Sequence, residues 1–139
     1  ATTKKVLIDA VKRGVDVRII LPSWSDSNLT LYAGRSHYDD FLDAGIKIYE
    51  LQKGMLHAKT AVIDGVWSTV GSTNIDMWSF MRNNEINAVI VSLEFARDME
   101  NLFNTDLAAS KEITRKDWSR RPIWNRLAEL VGRLMSHWL

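Results

Sequence analysis

The sequence predicts an α/β (mixed α+β) fold in which helices flank a central mixed β-sheet. Helical patterns precede and follow a series of β-rich runs, and this arrangement is typical of helices packed on a sheet. The chain has 139 residues, of which 46% are hydrophobic. That is enough apolar material to bury one substantial core.

The first part of the chain is predicted to alternate between helix and strand. Residues 3–13 have apolar positions at helical spacing, and Gly14 is a helix stop. The run VDVRIILP predicts a buried strand that ends at Pro22. The following SWSDSNLTLYAGRS has no clear period and is predicted as a loop, which leads into a helix near SHYDDFLDAG.

The middle of the chain is predicted to form strands, and the end is predicted to form helices. Four short β-rich runs come next, namely IKIYELQ, LHAKTAVID, WSTVGS and EINAVIVS. LEFARDMENLFNTDLAAS and then RRPIWNRLAELVGRLMSHWL each place apolar residues on one helical face, so both predict helices. We therefore predict a lobe over residues 1–117 and a separate C-terminal amphipathic helix over residues 118–139.

Composition excludes several classes of protein. The chain has no cysteine, which excludes disulfides, thiolate metal sites and a thiol nucleophile. No apolar run reaches the roughly 18 residues of a membrane span, so no transmembrane segment is predicted. The chain starts without methionine and enters an amphipathic pattern almost at once, which favours a piece of a longer protein.

Charge is distributed unevenly along the chain. Residues 111–139 contain seven lysines and arginines against three acidic residues, whereas residues 1–110 contain eleven against fourteen. The basic excess therefore lies in the C-terminal segment.

The segment LHAKTAVIDGVWSTVGSTN contains the residues with the clearest chemistry. In a strand, His57 and Lys59 would project from the same face with backbones about 7 Å apart. Asp64-Gly65 predicts a hairpin turn, and Gly71 lets a ligand approach the backbone closely. Ser72 and Asn74, again two residues apart, would offer a hydroxyl and an amide to a phosphate oxygen.

Together these residues resemble the HKD motif of the phospholipase D superfamily, at His57, Lys59, Asp64, Gly71, Ser72 and Asn74. The resemblance continues through GSTNIDMWSFMRNNEINAVIV, and it extends backwards through SHYDDFLDAGIKIYELQKGMLHAKTAVID. This region is similar to the C-terminal half of bacterial cardiolipin synthases. One departure is Trp78, where related sequences commonly have arginine.

The resemblance implies a phospholipase D-like lobe that acts on phosphodiesters through a phosphohistidine, without a metal or another cofactor. The catalytic residues would be His57, Lys59, Asp64 and Glu85. Lys59, Ser72 and Asn74 would bind the phosphate oxygens. Glu85 is the candidate acceptor that orients the imidazole, and Asp64, which more naturally organises the turn, is the alternative.

The resemblance also implies a second histidine, because the superfamily uses one to attack and another to protonate the leaving oxygen. This sequence has one HKD copy, since neither His37 nor His137 is followed by the required lysine and aspartate. The second half-site would come from a missing N-terminal lobe or from another copy of the chain. The sequence does not decide whether His57 attacks or acts as the acid.

Three functions fit these features. The first is a phosphatidyltransferase of cardiolipin synthase type at the bacterial inner membrane, with a phospholipid substrate, phosphatidylglycerol above all. The second is a homodimeric phospholipase D-type nuclease or phosphodiesterase, but the net negative charge of residues 1–110 disfavours nucleic acid as a partner. The third is a non-catalytic lobe that docks on membranes.

The C-terminal segment has an apolar helical stripe, formed by Ile123, Trp124, Leu127, Leu130, Val131, Leu134 and Trp138. With the local positive charge, this stripe predicts a helix that rests on an anionic membrane surface. The sequence favours the other arrangement, in which the stripe packs on the protein's own core as most amphipathic helices do, and the two arrangements are not exclusive.

Overall fold

The computed structural model describes residues 3–54, 56–72 and 86–135, apart from the side chains of Leu29 and residues 132–135. In chain order the elements are α1 (Thr3–Lys12), β1 (Arg18–Pro22), α2 (Asn28–Arg35), α3 (Tyr38–Asp43), β2 (Lys47–Leu51), β3 (Lys59–Ile63), β4 (Trp67–Gly71), β5 (Asn87–Val91), α4 (Leu93–Ala108), β6 (Ser110–Ile113), α5 (Arg115–Ser119) and α6 (Ile123–Met135).

The α/β class is confirmed, but the described strands form two three-stranded sheets instead of one central sheet. The chain divides into two compact units, of which unit 1 contains residues 1–55 and 110–139 and unit 2 contains residues 56–109. The division of the sequence at residue 117 into lobe and helix remains a prediction.

The sheet of unit 1 is mixed, as predicted for the fold. Its central strand β2 pairs with β1 in parallel and with β6 antiparallel, so that Ile48 lies opposite both Ile19 and Ile113. Ile48 is completely buried, and it belongs to a core cluster with Tyr38, Ile46 and Trp118. Apolar residues of α1, α3 and β1 pack around this cluster.

Three elements of unit 1 were not predicted. Helix α2 lies within the segment predicted as a loop, and that prediction is wrong. Ser27 is the N-cap of α2, because its hydroxyl accepts a hydrogen bond from the Thr30 N–H at 3.3 Å. Strand β6 and helix α5 follow α4 directly, and the predicted helix therefore ends at Ala108, two residues earlier than its pattern indicated.

A buried polar network links α2, α3 and β2. The Arg35 guanidinium donates to both carboxylate oxygens of Glu50, at 2.9 and 3.0 Å, and the Tyr38 hydroxyl donates to Glu50 at 3.1 Å. Burial, together with the neighbouring Glu50 charge, raises the pKa of Tyr38 well above its usual value, so it stays a donor. The network fixes α2 against the sheet through paired charges.

Unit 2 is an antiparallel sheet with one helix on it. Strand β4 lies between β3 and β5, and α4 packs against all three strands. Ser92 caps α4 by accepting a hydrogen bond from the Phe95 N–H at 3.3 Å. Ser68 of β4 and Ala96 of α4 are completely buried, which places the helix on the face of the sheet that carries Ser68.

Helix α6 packs mainly against α2 in unit 1. The five residues of its apolar stripe with described side chains are all exposed, so the prediction that the stripe packs on the protein's own core is wrong for them. Across the described part of the chain, no helix combines the length and the apolarity needed to cross a bilayer.

Candidate active site

The β3–β4 hairpin sets the geometry of the site. Its turn places Asp64 and Gly65 at φ angles of 52° and 63°, and the Ile63 carbonyl accepts from the Val66 N–H at 3.2 Å. Two successive positive φ angles define a type I′ turn, which favours Asp-Gly. The predicted hairpin turn at Asp64-Gly65 is confirmed, and the Asp64 backbone has the conformation that this turn requires.

His57 and Lys59 lie at the start of the hairpin. The strand was predicted to include His57, but β3 begins at Lys59, opposite the last residue of β4, Gly71. His57 therefore lies two residues before the strand, and strand periodicity does not apply to it. The two residues are instead linked by a hydrogen bond from Lys59 Nζ to the His57 carbonyl oxygen, at 2.9 Å.

This hydrogen bond keeps an ammonium group beside the backbone of an exposed histidine. An ammonium group near this position would lower the electrostatic cost of bringing a phosphodiester anion to the site, and this role stays a prediction. His57 and Lys59 are thus linked by a local contact to the backbone and not by a shared strand face, and their joint action on a phosphate stays a prediction.

Gly71 is required by the close approach of β5. A Cβ atom at this position would lie 1.8 Å from Asn87 Oδ1 and 2.4 Å from the Ile86 carbonyl oxygen. No side chain larger than hydrogen fits there unless β5 moves. The prediction was that Gly71 lets a ligand approach the backbone, and this stays a prediction, because here the space beside Gly71 holds Asn87 and the Ile86 carbonyl.

Asn87 is a site candidate that the sequence did not reveal. Lys59 lies opposite Gly71, and Gly71 lies opposite Asn87, so the three residues form one row across the sheet. Opposite residues of antiparallel strands share a face, and the Asn87 amide extends over the bare backbone of Gly71 on the face that carries Lys59. Asn87 could have been identified only from the pairing register of β3, β4 and β5, which the sequence does not give.

Ser72 joins the two ends of the connection between β4 and β5. Its N–H donates to the Ile86 carbonyl oxygen at 3.0 Å, and its hydroxyl accepts from the Ile86 N–H at 3.1 Å. Both groups therefore hold the backbone across the connection. Phosphate binding by Ser72 stays a prediction.

Two predicted site residues, Asn74 and Glu85, lie outside the described residues, as does Trp78. In the chain, Asn74 follows Ser72 by two positions and Glu85 directly precedes Ile86. The predicted acceptor for the imidazole and the predicted amide ligand thus flank the Ser72–Ile86 contact in sequence, and their roles stay predictions.

The face of the sheet that carries Lys59 is apolar and open around the polar row. Ile63, Val89 and Val91 belong to this face by the strand register, and all three are exposed. The buried Ser68 lies on the opposite face, beneath α4. This face therefore combines Lys59 and the Asn87 amide with exposed aliphatic surface.

Comparison with known protein families gives a match over residues 2–107 to the family described as cardiolipin synthase, PLD-like domain. Cardiolipin synthase 2 of Bacillus cereus is 39% identical over 127 residues, which is 91% of this chain and 25% of that protein. The major cardiolipin synthase of Bacillus subtilis is 37% identical over 134 residues, which is 94% of this chain and 28% of that protein. The chain thus spans about a quarter of the length of these relatives.

A solved structure gives the same fold. The phospholipase D family member Nuc from Salmonella typhimurium superposes with a TM-score of 0.66 at 23% identity, over 80% of this chain and 72% of that chain. The resemblance to the phospholipase D superfamily and to bacterial cardiolipin synthases is therefore confirmed.

Proposed function

The chain belongs to the family of cardiolipin synthase, PLD-like domains, and on this premise we propose that it supplies one half of the active site of a phosphatidyltransferase. The observation that carries the proposal is the start of the β3–β4 hairpin, where the Lys59 ammonium lies at the backbone of the exposed His57. A cation near a histidine favours in-line displacement at a phosphodiester, because it offsets the charge of the anion that the nucleophile must approach.

The reaction would move a phosphatidyl group from one phospholipid, phosphatidylglycerol, to a hydroxyl of another. An imidazole nitrogen attacks phosphorus, the bond from phosphorus to the leaving glycerol oxygen breaks, and a second histidine protonates that oxygen. The acceptor hydroxyl then attacks phosphorus, loses its proton to the second histidine, and the phosphorus–nitrogen bond breaks. His57 fills one of these two histidine roles.

The other residues would hold the phosphate and the imidazole. Lys59 and Asn74 bind the non-bridging oxygens, with Ser72 assisting from beside Ile86. Glu85 orients the imidazole ring by accepting from its second nitrogen. The conformation of Asp64 supports this choice, because the Asp64 backbone forms the type I′ turn and its φ angle is 52°.

The second half-site would come from an N-terminal HKD lobe of the same protein. Most of the length of the cardiolipin synthases lies outside the region that this chain matches, which leaves ample room for such a lobe. A second copy of the chain across a two-fold axis is the alternative source. The partners are then a phospholipid and an anionic membrane surface, and the location is the bacterial inner membrane.

The test is an assay of the complete enzyme that contains this chain, in phosphatidylglycerol vesicles, with lipid products measured by mass spectrometry. His57→Ala and Lys59→Ala should each lower the initial rate by about 10²-fold or more. Lys53→Ala removes a lysine that is exposed and six residues earlier, and it should leave the rate unchanged.

Full activity of His57→Ala would contradict the proposal. Cleavage of DNA by a purified dimer, with no lipid product, would replace the transferase by the nuclease. Vesicle binding without any turnover by the complete enzyme would select the non-catalytic docking lobe.

A further inference from the structure

Helix α6 is oriented with its apolar side away from the protein. Its exposed fractions are 71% for Ile123, 79% for Trp124, 49% for Leu127, 55% for Leu130 and 51% for Val131. The side of the helix that faces the protein is polar or small, since Glu129 is only 5% exposed and both Asn125 and Ala128 are partly buried. This is the reverse of the usual arrangement for a helix on a soluble protein.

A buried ion pair fixes this orientation. Arg121 donates through Nε and Nη2 to the Glu129 carboxylate at 2.9–3.1 Å, and the two side chains are 12% and 6% exposed. The same guanidinium lies 4.1 Å from the ring centre of Trp118 and donates to Asp39 at 2.9 Å. Turning the apolar stripe inward would break this buried network, which is costly.

The stripe has the width of the apolar face of an interfacial helix, and arginine and tryptophan lie at its edges. At 3.6 residues per turn, its five residues fall within an arc of about 120°. Arg126 lies next to Leu130 at one edge of this arc, and it is exposed, as is Arg120 just before the helix. Arg126 Nη2 donates to the Ser119 carbonyl oxygen at 2.6 Å, and the guanidinium has four further N–H donors for a lipid phosphate. Trp124 lies at the other edge, where an amphipathic ring suits the boundary between headgroups and acyl chains.

We propose that α6 lies flat on an anionic phospholipid bilayer, with the stripe from Ile123 to Val131 inserted at the level of the acyl boundary. Arg120 and Arg126 contact the lipid phosphates. The arginine border is what selects a bilayer over an apolar protein groove, because it matches the negative charge of the headgroups. The inference rests on the proposed function only in choosing a phospholipid surface as the partner.

The test measures binding of the full chain to vesicles by flotation, with phosphatidylcholine alone or with phosphatidylcholine and phosphatidylglycerol at 7:3. The double variant Trp124→Ser/Leu127→Ser should lower the partition coefficient on both vesicles by at least about tenfold. Arg126→Ala should lower it about fivefold on the anionic vesicles and little on the neutral ones.

Leu102→Ser is the matched control, since Leu102 is a leucine of α4 with 53% exposure, close to that of Leu127. Its vesicle binding should equal that of the unaltered chain. Thermal unfolding followed by circular dichroism should be nearly unchanged for the serine variants, because the altered side chains are exposed. Arg126→Ala should lower the unfolding temperature slightly, because it removes the hydrogen bond to the Ser119 carbonyl oxygen.

Wild-type binding by Trp124→Ser/Leu127→Ser would overturn the proposal. A second result would also overturn it: the unaltered chain does not bind vesicles and sediments as a dimer, whereas the double variant sediments as a monomer. A second copy of the chain would then cover the stripe. His57→Ala should bind vesicles like the unaltered chain, so failure of the docking proposal and failure of the proposed reaction are separate results.

Discussion

The two units of this protein each contain a three-stranded sheet, but the two sheets differ in how far they are buried. In unit 1 the central strand is buried: Ile48, and Ile46 just before the strand, are 0% and 2% exposed and form a core cluster with Tyr38 and Trp118. In unit 2 the sheet is covered by α4 on one side, and Val89 and Val91 of β5 remain 58% and 71% exposed. Unit 1 thus contributes a packed core, whereas unit 2 presents a sheet face to its surroundings.

The polar and charged side chains of the two units also differ in burial. Unit 1 neutralises buried charges internally, through Arg35 with Glu50 and Arg121 with Glu129. His57, Asp64 and Ser72 of unit 2 are exposed. The comparison teaches that buried packing is concentrated in unit 1 and that the proposed site lies in unit 2, so substitutions in the two units should have different effects.

The largest effect on stability is expected for Arg35→Ala. This variant leaves the Glu50 carboxylate buried at 6% exposure without its cation, which should cost about 3–5 kcal/mol in the free energy of unfolding. Arg18→Ala removes an exposed arginine from its pair with Asp16 and should cost less than about 1 kcal/mol. Equal urea midpoints for the two variants would contradict the view that unit 1 depends on buried charge pairs.

A truncation in each sheet tests the difference in packing. Ile48→Ala in β2 should destabilise the protein by about 2–5 kcal/mol, because it empties a fully buried site. Val91→Ala in β5 should change the free energy of unfolding by about 0.5 kcal/mol or less, since that side chain is mostly exposed. Urea denaturation followed by fluorescence measures both, and a cost for Val91→Ala as large as that for Ile48→Ala would show that the β5 face is covered.

Gly71→Ala should damage unit 2 and its site together. The added methyl group would overlap Asn87 and the Ile86 carbonyl, and separation of β4 from β5 should cost about 1–3 kcal/mol and most of the activity of the complete enzyme. Gly34→Ala is the control, because nothing lies within 4 Å of the place that its added methyl group would occupy and alanine favours the helix. A fully active Gly71→Ala enzyme would exclude the close β4–β5 contact.

Substitutions at Asp64 separate turn geometry from chemistry. Asp64→Val should lower stability by about 1–2 kcal/mol, because a β-branched residue resists a φ of 52°. Asp64→Asn tolerates the same conformation and should keep both the stability and the lipid product of the complete enzyme. Loss of turnover by Asp64→Asn at unchanged stability would instead assign the carboxylate a direct role.

The smallest effect is a pH dependence from Asp39 in unit 1. Partial burial acts to raise its pKa, but hydrogen bonds from Arg115 and Arg121 outweigh burial, and the net pKa falls below its ordinary value of 3.8. The resulting stabilisation is present above pH 3.8 and is lost as the pH falls through the lower folded pKa. Because Asp39 is 43% exposed, it should amount to less than about 1 kcal/mol.

Urea denaturation at pH 6 and at pH 3 measures this difference. Asp39→Asn should be less stable than the unaltered chain at pH 6 and should approach it at pH 3. A gap between the two proteins that is the same at both pH values would contradict the shift.

The parts of the fold that were predicted correctly are those set by local sequence signals. Apolar runs identified β1 and β2, and Asp64-Gly65 identified the hairpin, because backbone preference and burial act within a few residues there. Helix α2 was missed because the segment SWSDSNLTLYAGRS is rich in Ser, Asp and Asn and has no clear period, although Ser27 caps the helix. Strand β6 was missed because its four residues form a strand only through pairing with β2.

The sequence proposes the residue types of the site, and their roles stay predictions, whereas the geometry of the described ones differs from what the sequence indicated. The spacing of His57 and Lys59 identified the pair, but the hydrogen bond between them replaces the expected strand face. The position of Asn87 and the Ser72–Ile86 contact depend on how β4 and β5 align. The register between two strands cannot be read from the sequence of either strand alone.

The central claim is that the imidazole of His57 takes part in the reaction at phosphorus, and its most direct test is rescue of the complete enzyme that contains this chain. With phosphatidylglycerol vesicles, His57→Ala should form lipid product about 10²–10⁴-fold more slowly, and added free imidazole should restore part of the rate. Imidazole should not restore the rate of Gly71→Ala, which loses the site by a different route. A His57→Ala enzyme with the unaltered rate would contradict the claim.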